Sequence, residues 1–200
     1  VTDERLLLGK DLYRTVEAAV KGGVSMVQLR EKESSTREFV ERAIRLKEVL
    51  TPYGVPLIIN DRVDVALAAD ADGVHVGQSD MPYEMVKRLL PEGKIIGLSV
   101  ESPEQVLEAN DYDLDYVAAS PVFSTTTKTN TIVEWGLDGL RWIRSVSRHP
   151  LVAIGGIHSN NVASIFKAGA DSVAVISAIV SADDPERAAR ELLEKSGEPH

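Results

Sequence analysis

Three short runs hold many of the side chains in this chain that could do chemistry. Gln28, Arg30 and Lys32 alternate along one of them, Asn60, Asp61 and Arg62 are consecutive, and Gln78 and Asp80 follow at close spacing. Further on come Ser99, Ser120, the hydroxyl run Ser124 to Thr127 closed by Lys128, the pair Gly155 and Gly156, and Ile176 with Ser177. Cations and hydroxyls in this proportion suit an anionic, oxygen-rich ligand. Paired glycines ahead of a helix allow backbone N–H groups to approach a phosphate closely. Two aspartates without a metal-ligating histidine suit Mg²⁺ better than Zn²⁺.

Each of these residues also has a plainer reading. Asp61 and Asp80 are placed to cap the helices that follow them. Arg30 and Lys32 can be solvated strand ends, and the glycine pair can be a tight turn. His75 sits inside an apolar run and reads as a packed residue, while His149, His158 and His200 have no partner that spacing can name. No Ser-His-Asp arrangement follows from spacing, and without cysteine there is no thiolate nucleophile.

The elements that must position these groups alternate regularly. Apolar, β-branched runs at 24–30, 55–60, 72–77, 94–100, 114–120, 150–156 and 170–177 read as strands. Helical patterns at 35–50, 63–70, 81–90, 102–109, 137–146, 160–169 and 184–195 separate them. In the first of these helices Phe39, Ala43, Leu46 and Leu50 share a face, and Ser35 with Glu38 forms a capping box. Ser102, Pro103 and Gln105 make a second helix start. Val1–Asp3 as the end of a truncated first strand, with the stretch 9–23 as its helix, makes eight βα units.

Nearly continuous apolar strands are expected where both sheet faces are covered. The architecture expected is therefore a single-domain (β/α)8 TIM barrel over residues 1–200. An open doubly wound sheet is the alternative, weakened by the lack of a glycine-rich dinucleotide fingerprint after the first strand. In a barrel the chemistry sits at the C-terminal strand ends, and that is where the residues named above fall. The glycine pair after strand seven and Ile176–Ser177 after strand eight match the common phosphate site of such barrels.

Bulk composition narrows the partners. The chain has 22 Lys and Arg against 31 Asp and Glu, a formal charge of −9, so it lacks the basic stripe of a nucleic-acid binder. A phosphorylated ligand must then be held by local cations against an unfavourable overall charge. No apolar run reaches the ~20 residues that cross a bilayer, and no signal peptide is visible. Absence of cysteine fits a reducing compartment, and the cytoplasm is the expected location. From the residues alone, the expectation is a barrel enzyme acting on a phosphorylated or diphosphorylated small molecule with Mg²⁺.

In order along the chain, "QLREK", "NDR", "GQSDMP", "SPVFSTTTK", "VAIGGI" and "AGADSVAVISAI" make the sequence similar to the thiamine-phosphate synthase family over nearly its whole length. The resemblance implies a (β/α)8 barrel. It also implies a transferase that joins 4-amino-5-hydroxymethyl-2-methylpyrimidine diphosphate to 4-methyl-5-(2-phosphooxyethyl)thiazole, or its carboxylated form. The products would be thiamine phosphate and pyrophosphate, formed through a dissociative carbocation with Mg²⁺ as cofactor. On the matching positions it implies Asp61 and Asp80 as metal ligands and Arg30, Lys32, Asn60 and Lys128 as a diphosphate clamp. Arg30, Lys32 and Lys128 would be the catalytic cations. Gln28 and Ser99 would lie at the pyrimidine, and Thr125, Thr127, Gly156, Ile176 and Ser177 would bind the thiazole phosphate.

Family members often carry glycine where this chain has Ala118 and Ser120, and β-carbons there would narrow the pocket floor. The expected partners are thus small molecules, with neither nucleic acid nor membrane, and the resemblance leaves room for a homodimer. A thiazole tautomerase, a non-catalytic thiazole or thiamine phosphate binder and an unrelated phosphate-binding barrel are the rivals. Joint presence of Lys32, Asn60, Asp61, Asp80 and Lys128 argues against the first two, and the lack of a placed acid and base pair against the third.

Overall fold

The computed structural model describes residues 1–124 and 134–197. Its regular elements are α1 (Leu12–Lys21), β1 (Val27–Leu29), α2 (Thr36–Leu50), β2 (Leu57–Asn60), α3 (Val63–Ala68), β3 (Gly73–Val76), α4 (Tyr83–Leu89) and β4 (Ile95–Val100). There follow α5 (Pro103–Ala109), β5 (Tyr116–Ala119), α6 (Gly136–Val146), β6 (Leu151–Ile154), α7 (Val162–Lys167), β7 (Ser172–Ala174), α8 (Ser177–Val180) and α9 (Pro185–Ser196). The fold is a parallel α/β fold with seven strands among the described residues. Among those residues, no helix is long and apolar enough to cross a membrane.

The chain divides into two compact units. The first comprises Val1–Ile96 and Ile176–Glu191. In it β1, β2 and β3 pair in parallel, Leu29 beside Ile59 and Asn60 beside His75. Leu57, Ile58 and Ile59 are fully buried, as an apolar run covered on both faces should be. The expected face of α2 is the buried one: Phe39, Ala43, Leu46 and Leu50 are each at most 2% exposed. Burying Phe39, Leu46 and Leu50 contributes about 1.5–3 kcal/mol apiece, and the Ala43 methyl less. The reciprocal cap at its start is formed, with Ser35 Oγ accepting from the Glu38 N–H and the Glu38 carboxylate accepting from the Ser35 N–H. Gly22, at the end of α1, lies against α9, where a β-carbon would run into the Glu186 carbonyl.

The expected first strand is not a regular strand. Val1–Asp3 belongs to no strand, although Asp3 is extended and the Thr2 N–H donates to the Gln28 carbonyl of β1 (2.9 Å). Asp3 then ends the run by capping a 3-10 turn, Glu4–Leu7, accepting from the Arg5 N–H.

The second unit comprises Gly97–Val175 and the chain from Leu192. Here β4, β5, β6 and β7 are parallel neighbours in chain order, Ser99 beside Ala118 and Ala119 beside Ala153. Ser102 caps α5 as expected, but the expected return bond is displaced by one residue. Gln105 Oε1 accepts from the Glu101 N–H (2.7 Å) instead of from the cap residue itself. His149 is buried, as a packed residue, with Nδ1 3.1 Å from the Leu114 carbonyl and Nε2 2.8 Å from the Ala109 carbonyl.

One device recurs in both units. Asp72, just before β3, accepts from the Leu57 N–H at the start of β2 and donates its own N–H to the Leu57 carbonyl. Asp171, just before β7, does the same with Leu151 at the start of β6. A carboxylate thus replaces a carbonyl where the ladder would otherwise leave a donor unpaired. Each aspartate is backed by a cation from the helix before its partner strand, Lys47 at 4.0 Å and Arg144 at 2.9 Å.

Asp70 sits in the left-handed region (φ 47°) at the end of α3. Hydrogen bonds from Lys94 (2.6 Å) and Lys47 (3.0 Å) bring its carboxyl down to about 2 from an ordinary 3.8. A depressed acid contributes stability above its unfolded value and loses it as pH falls through its folded value. Asp70→Asn tolerates the same backbone. The stability gap between the two proteins should therefore be constant at and above neutral pH and close between about pH 4 and about pH 2. Urea unfolding across that range measures it, and a gap that persists below pH 2 would assign the effect to something other than the ion pairs.

Candidate active site

In the first unit, parallel pairing carries the C-terminal ends of β1, β2 and β3 to one edge, and three of the expected residues meet there. Lys32 Nζ lies 2.5 Å from Asp61 Oδ2. The Asp61 carboxyl lies close enough to Asp80 to act on its ionisation, and Asp80 Oδ2 accepts from the Gly77 N–H (2.7 Å). Burial raises the Asp80 carboxyl above its ordinary range, and the neighbouring Asp61 raises it further, while the Gly77 N–H and Lys32 act in the opposite sense. Two neighbouring carboxyls cannot both ionise freely, and at Asp80 the charged form is the disfavoured one.

Neither aspartate caps a helix. The cap position of α3 is Arg62 and that of α4 is Pro82, and neither helix start receives a side-chain cap bond. Asp61 instead adopts φ 65°, with its N–H donated to the His75 carbonyl (2.8 Å). A non-glycine residue in this region is uncommon, and such conformations gather at functional sites. Arg62 turns away to Asp64 (2.6 Å) and Thr36 (3.1 Å). His75 is buried on β3.

Among the described residues, no group of three or more His, Cys, Asp or Glu side chains gathers to hold a metal. The Asp61–Asp80 pair nonetheless fits Mg²⁺, which usually takes one or two protein carboxylates and completes its shell with water and substrate phosphate. A cation would also offset the burial and the Asp61 carboxyl that together raise Asp80.

Arg30 is held differently from Lys32. Its Nη1 donates to Asp3 Oδ2 (2.7 Å) in a pair whose side chains are 18% and 7% exposed. Both cations line one open pocket with Asp3, Glu4, Arg5 and Glu33. Between them, Glu31 turns inward and accepts from Ser34 Oγ (2.5 Å) and Arg42 Nη1 (2.6 Å). Asp3 and Glu31 escaped the sequence reading, since their partners Arg30 and Arg42 lie 27 and 11 residues away and no local pattern signals the contacts. Gln28 is on β1 and Asn60 ends β2. Ile176 is the residue before α8, and Ser177 opens that helix, so the expected last strand is shorter than read and stops at Ala174.

In the second unit, Ser99 is buried on β4, and Ala118 and Ser120 are buried on or just after β5. The Ser120–Pro121 bond is cis. Beyond it the chain follows the end of β6, with the Val122 N–H on the Ile154 carbonyl (2.9 Å) and the Phe123 N–H on Gly155 (3.2 Å). Gly156 has φ 65°, and a β-carbon there would lie 2.8 Å from Phe123 Cβ and 2.9 Å from the Ser124 carbonyl. The glycine pair is therefore required by packing as well as by backbone conformation. Thr125, Thr127 and Lys128 lie outside the described residues. The segments flanking them are joined: Ser124 Oγ bonds the Glu134 carboxylate, and the Trp135 and Gly136 N–H groups bond the Pro121 and Val122 carbonyls.

The chain is similar to known proteins over most of its length. The family described as thiamine monophosphate synthase matches residues 1–179. A thiamine-phosphate synthase of Albidiferax ferrireducens is 52% identical over 185 residues, 92% of this chain and 84% of that protein. One from Vibrio campbellii is 50% identical over 193 residues, 96% of this chain and 94% of its own length. The solved thiamine phosphate pyrophosphorylase from Pyrococcus furiosus superposes with a TM-score of 0.88 at 42% identity, covering 98% of this chain and 92% of that one. These likenesses make the protein an enzyme of the transferase class, built on a parallel α/β fold. More narrowly, the chain belongs to the thiamine monophosphate synthase family.

Two outcomes follow from the geometry. Gly156→Ala should lose about 1–3 kcal/mol of stability in urea unfolding, since it adds left-handed strain and a contact with Phe123. An unchanged midpoint would show that Phe123 yields freely. Asp80→Asn keeps an acceptor for Gly77 and removes a group whose raised carboxyl makes ionisation unfavourable in the fold. In metal-free buffer it should be at least as stable as the parent near neutral pH. Because a raised acid destabilises the fold as pH climbs from the unfolded value through the folded one, that advantage should shrink below about pH 4. A melting temperature for Asp80→Asn well below the parent's at pH 7 would contradict this reading of the carboxyl pair.

Proposed function

We propose that the enzyme condenses 4-amino-5-hydroxymethyl-2-methylpyrimidine diphosphate with 4-methyl-5-(2-phosphooxyethyl)thiazole, or its carboxylated form, giving thiamine phosphate and pyrophosphate. The observation that carries the reading is the Lys32–Asp61–Asp80 cluster, a carboxylate pair with an ammonium at the ends of adjoining strands in a member of this family. Such a cluster suits a diphosphate that arrives with a divalent cation.

In this reading Asp61 and Asp80 hold Mg²⁺, which when bound supplies positive charge against the diphosphate. Arg30, Lys32, Asn60 and Lys128 grip the diphosphate oxygens, while Gln28 and Ser99 orient the pyrimidine. Thr125, Thr127, Gly156, Ile176 and Ser177 receive the thiazole phosphate through hydroxyls and backbone N–H groups. The bond from methylene carbon to diphosphate oxygen breaks with its electron pair leaving on pyrophosphate. The aminopyrimidine delocalises the resulting cation, and the thiazole nitrogen lone pair then forms the new C–N bond. No protein nucleophile is consumed, so the residues act by holding two anions in line and by stabilising the charge that grows on the leaving group.

A closed, single-domain (β/α)8 barrel over residues 1–200 belongs to the same proposal. The Val1–Asp3 segment beside β1 and the likeness to the Pyrococcus furiosus structure support it.

Purified protein given both half-molecules and Mg²⁺ should yield thiamine phosphate and pyrophosphate in equal amounts by mass spectrometry and coupled assay, and chelation should stop the reaction. Lys128→Ala should lower kcat by roughly a hundredfold, the loss of one contact to developing charge, with little change in the thiazole KM. No product from the parent protein, or normal turnover by Lys128→Ala, would sink the reading or this residue's part in it respectively.

A further inference from the structure

We infer that Asp3 is a positioning residue for Arg30, presetting the guanidinium for the substrate diphosphate, an inference that rests on the function proposed above. The short segment Thr2–Asp3 holds the end of β1 at three points. The Thr2 N–H donates to the Gln28 carbonyl (2.9 Å), Thr2 Oγ1 accepts from the Arg30 N–H (3.0 Å), and Asp3 Oδ2 takes Arg30 Nη1 (2.7 Å). The two residues on either side of Leu29 that the family resemblance assigns to the diphosphate substrate are therefore both tied to one strap. Asp3 is itself 5% exposed and its second oxygen is engaged by the Arg5 N–H (3.0 Å), so the carboxylate cannot swing with the arginine.

An arginine carries several flexible side-chain torsions, and a ligand that must immobilise them binds more weakly. Asp3 engages one outer nitrogen of the guanidinium. The planar fork has five N–H donors, so the capacity to bind a phosphate oxygen is not exhausted by one carboxylate contact. The pair also keeps a cation largely buried at the pocket wall in a chain whose formal charge is −9.

Asp3→Asn separates this role from a merely structural one. Asparagine keeps an oxygen for the Arg5 N–H, which preserves the cap. Its amide nitrogen then faces Arg30 Nη1, donor against donor, which breaks the hold on the guanidinium alone. The Thr2 bonds remain to dock the segment.

The test is a double-mutant cycle of Asp3→Asn with Arg30→Ala, read by steady-state kinetics and by calorimetric binding of pyrophosphate with Mg²⁺. Asp3→Asn should raise the KM for the pyrimidine diphosphate and the Kd for pyrophosphate roughly tenfold, the loss of one charge-assisted hydrogen bond. The thiazole phosphate KM should stay within about twofold, and in the Arg30→Ala background Asp3→Asn should add nothing further. An equal loss with and without Arg30, or unchanged constants for Asp3→Asn, overturns the inference while leaving the function standing. Should the parent protein form no thiamine phosphate, the function fails and this inference falls with it. Asp3→Ser, which keeps a cap acceptor but is too short to reach the guanidinium, repeats the cycle if Asp3→Asn does not fold.

Discussion

Parallel pairing is the constraint on which the first unit's chemistry depends. When β1, β2 and β3 run the same way, each must be reached by a crossover helix, and the loops that leave their C-terminal ends emerge at one edge. Lys32, Asp61 and Asp80 are 29 and 19 residues apart in sequence, yet they meet because each follows the end of one of three adjacent strands. The helices supply the apolar cover that makes this arrangement stable, α2 burying a face of Phe39, Ala43, Leu46 and Leu50. Polar anchors such as Asp72 and Asp171 secure the opposite ends of the strands, so the edge with the charged cluster is not needed to close the ladder.

The cluster is arranged against its own stability. Two carboxyls are held close together, one is raised by burial, and the backbone at Asp61 adopts a conformation that most residues avoid. One ammonium, Lys32, offsets part of the charge. Placing like charges together is unfavourable without a compensating cation, and it is retained where a ligand or metal completes the set. The Arg30–Asp3 pair is the converse, a cation supplied with its counter-ion inside the protein. For the anionic substrates proposed above, an acidic chain needs both arrangements. Lys32 bridges to groups expected to hold a cation, and Arg30 is steadied at the pocket wall.

The second unit shows how packing and site residues coincide. Gly156 reads in the sequence as a phosphate-site glycine, but Phe123 and Ser124 press on it so closely that packing alone requires glycine there. A bulky substitution at Gly156 would therefore report on the fold before it reported on any phosphate. Ala118 and Ser120 are both accommodated as buried residues around the end of β5.

Periodicity and capping chemistry are local, and the sequence by itself determined what depends on them. The alternation of strands and helices, the buried face of α2, the Ser35–Glu38 cap and the placement of charged residues after strands were all legible, because each is decided within a few residues. The motif string was enough to reach the family. Tertiary structure decided the rest. Whether Asp61 and Asp80 were caps or a neighbouring pair depended on the strand register, since the same residue types suit both. Gln105 reached the Glu101 N–H instead of that of Ser102, a choice that residue types and spacing do not distinguish. Val1–Asp3 proved to be a strap bonded to β1 through Thr2 and not a regular strand, and Asp3 found Arg30 across 27 residues. Contacts between segments far apart in sequence are set by which strands become neighbours, and a linear pattern of residues carries no direct record of that choice.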